Sequence, residues 1–210
     1  MKKQVAVFGG GPHSKVVLDL MLHSDRFDVV GIIDRDGAAP FGVPVIGTDD
    51  DMNQLIKMGI LSVFVAVGSN QIRRRLCEQA IKAGLELVTV TAPDAIVSEY
   101  AQIGDGVLIN RGVIVNAGTT IGNGTILNTG CSVDHDCTVG EYCHIAPGVH
   151  ISGSTAIGDD SFLGTGSSVI DRLTIGSKVM VGAGAAVIAD LPDNCTAVGV
   201  PARIIKYHEV

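Results

Sequence analysis

Aliphatic side chains recur at every sixth position through the second half of the chain. From Val97 to Val187 this position is Val, Ile or Leu sixteen times in succession. A small or β-branched residue stands four positions after each aliphatic one. In this second series, followed from Val113 to Leu173, the single bulky member is Leu173 itself. A period of six fits neither an α-helix nor a simple alternating strand, but it fits a triangular solenoid in which three hexapeptides complete one coil. The pattern predicts a left-handed parallel β-helix with eighteen residues per coil and about five coils.

Glycines accompany this repeat at positions that we expect to be tight corners of the solenoid, where a Cβ atom would clash. They are Gly104, Gly122, Gly140, Gly158, Gly176 and Gly182.

The first half of the chain has a different pattern, in which short apolar runs alternate with amphipathic stretches. Strands are predicted over 4–8, 29–33, 62–67 and 86–90, with helices that follow Gly11, Thr48 and Asn70. Strands alternating with helices indicate a small parallel sheet of the Rossmann kind. We therefore predict an α/β domain over residues 1–92 and a β-helix domain over 93–210.

Three loops of the first domain are expected to share one rim, because ligands bind beyond the carboxyl ends of parallel strands. These loops cover 9–13, 34–36 and 68–71. The glycine loop offers backbone N–H groups to a phosphate. Ser14 stands where a dinucleotide fingerprint has its third glycine, which favours a mononucleotide ligand.

Composition narrows the range of possible partners and cellular locations. A net charge of −7 excludes a nucleic-acid partner, and the Arg73–Arg75 run is interpreted as the solvated face of a helix. The sequence shows neither a signal peptide nor an apolar run of membrane-spanning length, so we predict a cytoplasmic protein. The five cysteines resemble neither a disulfide framework nor a metal knuckle, and Cys131, Cys137 and Cys143 are predicted to fill the core.

His135 is the strongest candidate for acid–base chemistry. It stands between Asp134 and Asp136, two places past an inward position, so its imidazole should project outward, and the register predicts the same for His144. An imidazole with a carboxylate neighbour has the parts of a general base, and Asp136 is the predicted partner. The two histidines lie half a coil apart, so we expect any cooperation between them to cross a subunit interface.

Four motifs in order carry a specific resemblance. The glycine loop with His13 and Lys15, residues 68–73, residues 128–135 and residues 199–203 resemble the sugar acetyltransferases of the PglD and NeuD group. The resemblance implies homotrimers with active sites between neighbouring prisms. Members use acetyl-CoA to acetylate amino-dideoxy sugars on nucleotide carriers, or sialic acid hydroxyls, for surface glycans.

The resemblance also implies roles for individual residues. His135 would accept the proton, Asp136 would raise its basicity and Asn128 would help to orient the acceptor. Acetyl-CoA would contact His144, Gly153, Thr165 and Ala183. The nucleotide sugar would contact Gly11, Pro12, His13, Asp34, Arg35, Gly68 and Gln71, with no metal involved.

The predicted reaction is direct transfer from acetyl-CoA to the amine of a UDP-linked 4-amino sugar, without an acyl-enzyme. Inward cysteines argue against a thiol nucleophile. The alternatives are O-acetylation of sialic acid or another sugar hydroxyl, and a non-catalytic nucleotide-sugar-binding protein. A zinc site of the prism-shaped carbonic anhydrases, built from His135, His144 and His150, is a further alternative, although the spacing of these histidines differs from the pattern of that family.

Overall fold

The computed structural model describes residues 1–35, 37 and 39–208 and divides the chain into two compact units. Unit 1 is Met1–Val90 and unit 2 is Thr91–Val210. The division lies two residues before the predicted one. In the described part of the chain, no helix combines the length and the apolar character needed to span a membrane.

Unit 1 is built around a five-stranded parallel sheet. Its strands are β1 (Lys3–Phe8), β2 (Phe27–Ile33), β3 (Val45–Gly47), β4 (Ser62–Val65) and β5 (Glu86–Leu87), in the order β3-β2-β1-β4-β5. Its helices are α1 (Pro12–Leu22), α2 (Met52–Lys57) and α3 (Asn70–Ala83), with 3-10 turns at Pro40–Gly42 and Asp49–Asp51. The strand order reverses on either side of β1, and such a switch point opens a crevice at the carboxyl ends of the strands.

The start of α1 has a local cause, whereas β3 depends on a tertiary contact. Pro12 occupies the first turn of α1, where its missing N–H costs no hydrogen bond. The edge strand β3 was not predicted from the sequence, because a strand of three residues, Val45–Gly47, is too short to show periodicity. Its pairing with β2, Ile32 opposite Val45, is a tertiary contact.

Most strands of unit 2 have two residues and form a β-helix, the last two strands are longer, and β6 (Val90–Thr91) lies at the boundary between the units. The strands are β7 (Ile96–Val97), β8 (Gln102–Ile103), β9 (Leu108–Ile109), β10 (Ile114–Val115), β11 (Thr120–Ile121), β12 (Ile126–Leu127), β13 (Ser132–Val133), β14 (Thr138–Val139), β15 (His144–Ile145), β16 (His150–Ile151), β17 (Ala156–Ile157), β18 (Phe162–Leu163), β19 (Ser168–Val169), β20 (Thr174–Ile175), β21 (Met180–Val181), β22 (Ala186–Val187), β23 (Cys195–Val198) and β24 (Arg203–Tyr207).

Successive coils stack in parallel with a register of eighteen residues. Ile114 of β10 lies between Ile96 and Ser132, and the same step relates Ile126 to His144. From β6 to β22, every third strand therefore joins the same sheet, which gives the three faces of the prism. After them β23 pairs with β21, and β24 runs antiparallel to β23. The predicted fold class, an α/β Rossmann-like domain followed by a left-handed parallel β-helix, is confirmed.

The interior of the prism is filled as the six-residue period predicts. The aliphatic series from Ile109 to Val187 is buried, and the small residues four places later pack beside it. Cys131, Cys137 and Cys143 are fully buried in this cluster, which confirms their prediction as core residues. Burial raises the pKa of the Cys131 thiol to about 12.

The predicted corner glycines are confirmed as sterically required. A Cβ atom added at Gly122 would lie 2.6 Å from the backbone nitrogen of Glu141 in the next coil. At Gly158 the corresponding distance to the backbone nitrogen of Ser177 would be 2.5 Å. A side chain at either corner would push two coils apart.

Hydroxyl groups of the inner series join neighbouring coils. The hydroxyl of Thr125 donates to the carbonyl of Gly140 at 2.8 Å and accepts from the N–H of Cys143 at 3.0 Å. Ser167 occupies the equivalent position two and a third coils later, where its buried hydroxyl has no hydrogen-bond partner among the described residues. The two hydroxyls should therefore differ in their contribution to stability.

We expect Thr125→Val to lower the free energy of unfolding by about 1 to 3 kcal/mol, because it removes both hydrogen bonds that the Thr125 hydroxyl forms with the neighbouring coil. Ser167→Ala, the matched control, should change it by less than about 0.5 kcal/mol, since no hydrogen bond to a described group is lost. Denaturant unfolding of both variants measures the difference. Equal losses would contradict the assignment of the inter-coil bonds.

Candidate active site

His135 and Asp136 form a hydrogen-bonded pair in the corner that follows β13. The Nδ1 atom of His135 lies 2.9 Å from Oδ2 of Asp136, and both side chains are more than half exposed in the single chain. An ionised carboxylate only accepts hydrogen bonds, so the ring proton resides on Nδ1. The lone pair of His135 is therefore on Nε2, the nitrogen that a general base uses.

The backbone of the corner gives the short Asp136 side chain this reach. Asp136 has a φ of 57°, and the same left-handed conformation occurs one coil earlier at Gly118 and one coil later at Ser154. Aspartate adopts this conformation more readily than most residues. The turn brings the carboxylate back alongside the imidazole of the preceding residue.

Two glycines in the adjacent coils leave room for this pair. A Cβ atom at Gly153 would lie 2.6 Å from Nε2 of His135, and one at Gly118 would lie 2.5 Å from Oδ1 of Asp136. Gly153, for which the resemblance implied a contact with acetyl-CoA, thus accommodates the imidazole itself. A contact between Gly153 and acetyl-CoA stays a prediction.

Two carboxylates set the electrostatics of His135. The hydrogen bond that Asp136 accepts from the imidazole raises the pKa of His135, and the charge of Asp134 raises it further. Asp134 accepts hydrogen bonds from the side chain of Asn116 and from the N–H of His135, each at 2.8 Å. These bonds lower the pKa of Asp134 and keep its charge beside the ring.

His144 lies on a different face of the prism, at the start of β15. Its ring is 9% exposed and stands edge-on to Phe162, with 5.2 Å between the centroids. His144 lies outside the prism interior, at the register position predicted for it, but neighbouring side chains on the same face cover it. Asn128 donates from Nδ2 to Nε2 of His144 at 3.1 Å.

The other predicted acetyl-CoA residues lie at a second corner of the coils. Thr165 and Ala183 are both exposed and occupy the same place in successive coils, where the N–H of Gly184 donates to the carbonyl of Thr165 at 2.9 Å. His135 and Gly153 belong to the next corner along the coil, one strand after the corner type that holds Thr165 and Ala183. The structure therefore brings together Thr165 with Ala183, Asn128 with His144, and His135 with Asp136 and Gly153.

Unit 1 contains a cavity of about 450 Å³ at the carboxyl ends of its strands. Six predicted nucleotide-sugar residues line it: Gly11, Pro12, His13, Asp34, Arg35 and Gly68. Gln71 does not belong to the lining formed by the described residues, and Asp36, in the predicted rim, lies outside them. The three predicted loops thus meet at one site.

Asp34 and His13 shape this cavity. The carboxylate of Asp34 accepts a hydrogen bond from the N–H of Gly10 at 2.6 Å, which holds the glycine loop against the end of β2. Partial burial, together with the nearby charge of Arg73, lowers the pKa of His13 to about 4. His13 is therefore neutral at neutral pH.

The interpretation of the arginine run is wrong for Arg73. This residue is 1% exposed, and its guanidinium donates to the carbonyls of Val67 and Gly68 and to the side chain of Asn70. Five N–H donors in a planar fork allow arginine to satisfy several acceptors of one loop. Arg73 braces the loop between β4 and α3 from inside.

Two charged residues of the cavity lining, Arg75 and Asp49, were missed from the sequence. Arg75 lines the cavity and lies 3.8 Å from Asp49, which also forms an ion pair with Arg35. Ile72 and Leu76 line the cavity beside Arg75, so the three share one face of α3 at helical spacing. That periodicity was a signal that could have placed Arg75 at the site.

The three histidines of the zinc alternative have separate partners. His150 bonds to Ser132 at 2.8 Å, His144 to Asn128 and His135 to Asp136. Across the described residues, His, Cys, Asp and Glu side chains form no group of three or more that could hold a metal ion.

Comparison with known proteins matches both units. Residues 4–80 match the PglD N-terminal domain, and residues 118–153 match the bacterial transferase hexapeptide family. A UDP-N-acetylbacillosamine N-acetyltransferase of Bacillus subtilis (strain 168) is 36% identical over 114 residues, which cover 51% of this chain and 51% of that protein. The match thus spans about half the length of this curated relative.

Solved structures match over nearly the whole chain. PerB from Caulobacter crescentus, in complex with CoA and GDP-perosamine, is 41% identical with a TM-score of 0.94, and the match covers 97% of both chains. The acetyltransferase domain of PglB from Neisseria gonorrhoeae FA1090, in complex with acetyl coenzyme A, is 39% identical with a TM-score of 0.93, covering 98% of this chain and 100% of that one. The chain therefore belongs to the PglD-type sugar acetyltransferases, a family of hexapeptide-repeat acyltransferases with a left-handed β-helix.

Proposed function

We propose that the protein transfers the acetyl group of acetyl-CoA to the amino group of a nucleotide-linked amino-dideoxy sugar, for surface glycan biosynthesis. The observation that carries the proposal is the His135–Asp136 pair, whose 2.9 Å hydrogen bond leaves the Nε2 lone pair of the imidazole as a base. The relatives support the same chemistry, since they include sugar N-acetyltransferases and structures that contain CoA or acetyl-CoA.

In the proposed reaction the sugar amine attacks the thioester carbonyl carbon of acetyl-CoA. Nε2 of His135 takes a proton from the attacking nitrogen, while Asp136 stabilises the imidazolium that forms. A donor such as His144 or a backbone N–H stabilises the oxyanion of the tetrahedral intermediate. The carbon–sulfur bond then breaks, and the CoA thiolate leaves and takes up a proton. The buried, high-pKa thiol of Cys131 supports direct transfer without an acyl-enzyme.

The two units have different proposed roles. The cavity of unit 1 binds the nucleotide sugar, with glycine-loop N–H groups toward the phosphates and Arg35 and Arg75 supplying positive charge. Unit 2 binds acetyl-CoA through His144, Gly153, Thr165 and Ala183 and carries the base. Asn128 acts within this unit through its contact with His144.

A homotrimer is part of the proposal. His135 and His144 of one chain lie on different parts of the prism, so an active site that uses both would combine residues of neighbouring unit 2 prisms. The molecular mass in solution tests this assembly, and a fully active monomer would contradict it. The cytoplasmic location stays a prediction.

A thiol-release assay tests the activity directly. We expect CoA release from acetyl-CoA in the presence of a nucleotide-linked amino sugar, and the panel should include UDP, GDP and dTDP carriers as well as sialic acid. The UDP-linked 4-amino sugar favoured by the sequence is one member of that panel. If CoA is released with sialic acid and with no other member of the panel, the protein is an O-acetyltransferase. If a nucleotide sugar binds but no CoA is released, the protein is non-catalytic.

In the same assay, His135→Ala should lower kcat by roughly 10²- to 10⁴-fold with little change in acetyl-CoA affinity, because general base catalysis contributes about this much. His23→Ala, at an exposed site after α1, is the matched control and should leave kcat unchanged. A kcat of His135→Ala close to that of the unaltered protein would remove His135 from the mechanism.

The pH dependence of kcat/KM should report the environment of His135. A general base must be unprotonated, so activity should fall as pH decreases through a pKa that Asp136 and Asp134 hold above the ordinary 6.5. Asp136→Asn removes the largest cause of this shift and should move the acid limb to lower pH while the maximum rate decreases. An acid limb that stays in place would show that another group controls it.

Asp34 tests the assignment of the sugar to unit 1. Asp34→Ala should raise the KM for the nucleotide sugar by roughly 10- to 150-fold and leave that for acetyl-CoA nearly unchanged, as expected when a hydrogen bond to a charged group is lost. Asp34→Asn retains an acceptor for the N–H of Gly10, so it separates the loss of charge from collapse of the loop. Equal weakening of both substrates, or of neither, would defeat the assignment.

A further inference from the structure

Two asparagines form a ladder that leads to His144. Asn110 follows β9 and Asn128 follows β12, eighteen residues later, so they occupy the same corner of successive coils. Nδ2 of Asn110 donates to Oδ1 of Asn128 at 3.1 Å and to the hydroxyl of Thr129 at 3.0 Å. Asn110 is 1% exposed. The hydrogen bonds of this buried side chain join polar groups of one corner, so it is well suited to orienting them.

Backbone N–H groups determine which way each amide points. The N–H of Thr129 donates to Oδ1 of Asn128, and the N–H of Arg111 donates to Oδ1 of Asn110, both at 2.8 Å. A backbone N–H can only donate, so the atom that faces it is the carbonyl oxygen in each case. The amide nitrogen of Asn128 is therefore the atom that lies 3.1 Å from Nε2 of His144.

This orientation determines the protonation of His144. An amide NH₂ group donates hydrogen bonds and does not accept them. Nε2 of His144 must therefore accept the hydrogen bond, and the proton of the neutral ring must be on Nδ1. An imidazolium would set an N–H on Nε2 against the NH₂ group of Asn128. We propose that Asn110 is a positioning residue which, through Asn128, holds His144 as the neutral Nδ1–H tautomer.

The ladder gives the two histidines different chemistry. Both rings have the proton on Nδ1 and the lone pair on Nε2, but a different nitrogen is bound in each. In His135 the carboxylate binds the Nδ1–H group, whereas in His144 the amide binds the Nε2 lone pair. His144 is thereby a hydrogen-bond donor and not a second base. This catalytic consequence rests on the proposed acetyl transfer, in which His144 serves the oxyanion, but the tautomer itself does not.

Long-range ¹H–¹⁵N spectra of the full-length protein labelled with ¹⁵N-histidine test the tautomer, with His144→Gln identifying the resonances. We expect an unprotonated Nε2 and a protonated Nδ1 at neutral pH in the unaltered protein. Asn128→Asp places a carboxylate opposite Nε2 and should move the proton to Nε2. A protonated Nε2 in the unaltered protein would overturn the ladder without any variant being made.

Asn110→Ala should shift the His144 nitrogens toward a mixture of tautomers. The matched control is Asn123→Ala, which removes a ladder asparagine from another corner, where it bonds to Glu141, and should leave the His144 nitrogens unchanged. Identical spectra for the two alanine variants would refute the role of Asn110.

Measuring kcat for acetyl transfer in these variants distinguishes a failure of the ladder from a failure of the proposed function. Asn128→Asp should lower kcat by roughly 10²- to 10³-fold, the usual effect of losing one oxyanion donor, and Asn123→Ala should not. A tautomer that changes without loss of kcat would support the ladder and remove His144 from the oxyanion site. If no sugar in the panel is acetylated, the nitrogen shifts still decide whether the ladder is correct.

Discussion

Stacking of each residue on the one eighteen positions later is the constraint on which unit 2 depends. Parallel strands of only two residues are stable because each coil hydrogen-bonds to the next, as when the N–H of Ile114 donates to the carbonyl of Cys131 and that of Ser132 to Val149. A slip of one residue would move the aliphatic series from the interior to the surface. The six-residue period therefore permits one register.

The candidate chemistry is a product of the same stacking. Asn116 contacts Asp134, and Asn110 contacts Asn128, each across eighteen residues. The glycines at 118 and 153 stand one coil from Asp136 and His135 and leave them space. The corners that carry the functional side chains are thus held by the coils on either side, while the imidazole of His135 itself stays exposed.

In unit 1 the parallel sheet performs the corresponding task for its loops. The carboxyl ends of β1, β2 and β4 bring the glycine loop, Asp34 and Gly68 to one cavity. Arg73 lies beneath that surface and is stabilised by carbonyl groups of the loop it supports. The partial burial of the ring and the charge of Arg73 keep His13 neutral, so the cavity lining includes a neutral imidazole as well as the ion-paired Asp49.

Periodicity and local turn chemistry determined the β-helix, its inward cysteines, its corner glycines and the three loops of the cavity, because each depends on residues close in sequence or on a fixed repeat. The pairing of β3, the burial of Arg73 and His144, and the place of Asp49 were decided only by the tertiary structure. These features depend on which distant side chains cover or pair with a residue. A repeat predicts the direction of a side chain, but its solvent exposure and its hydrogen-bond partners are properties of the packed neighbours.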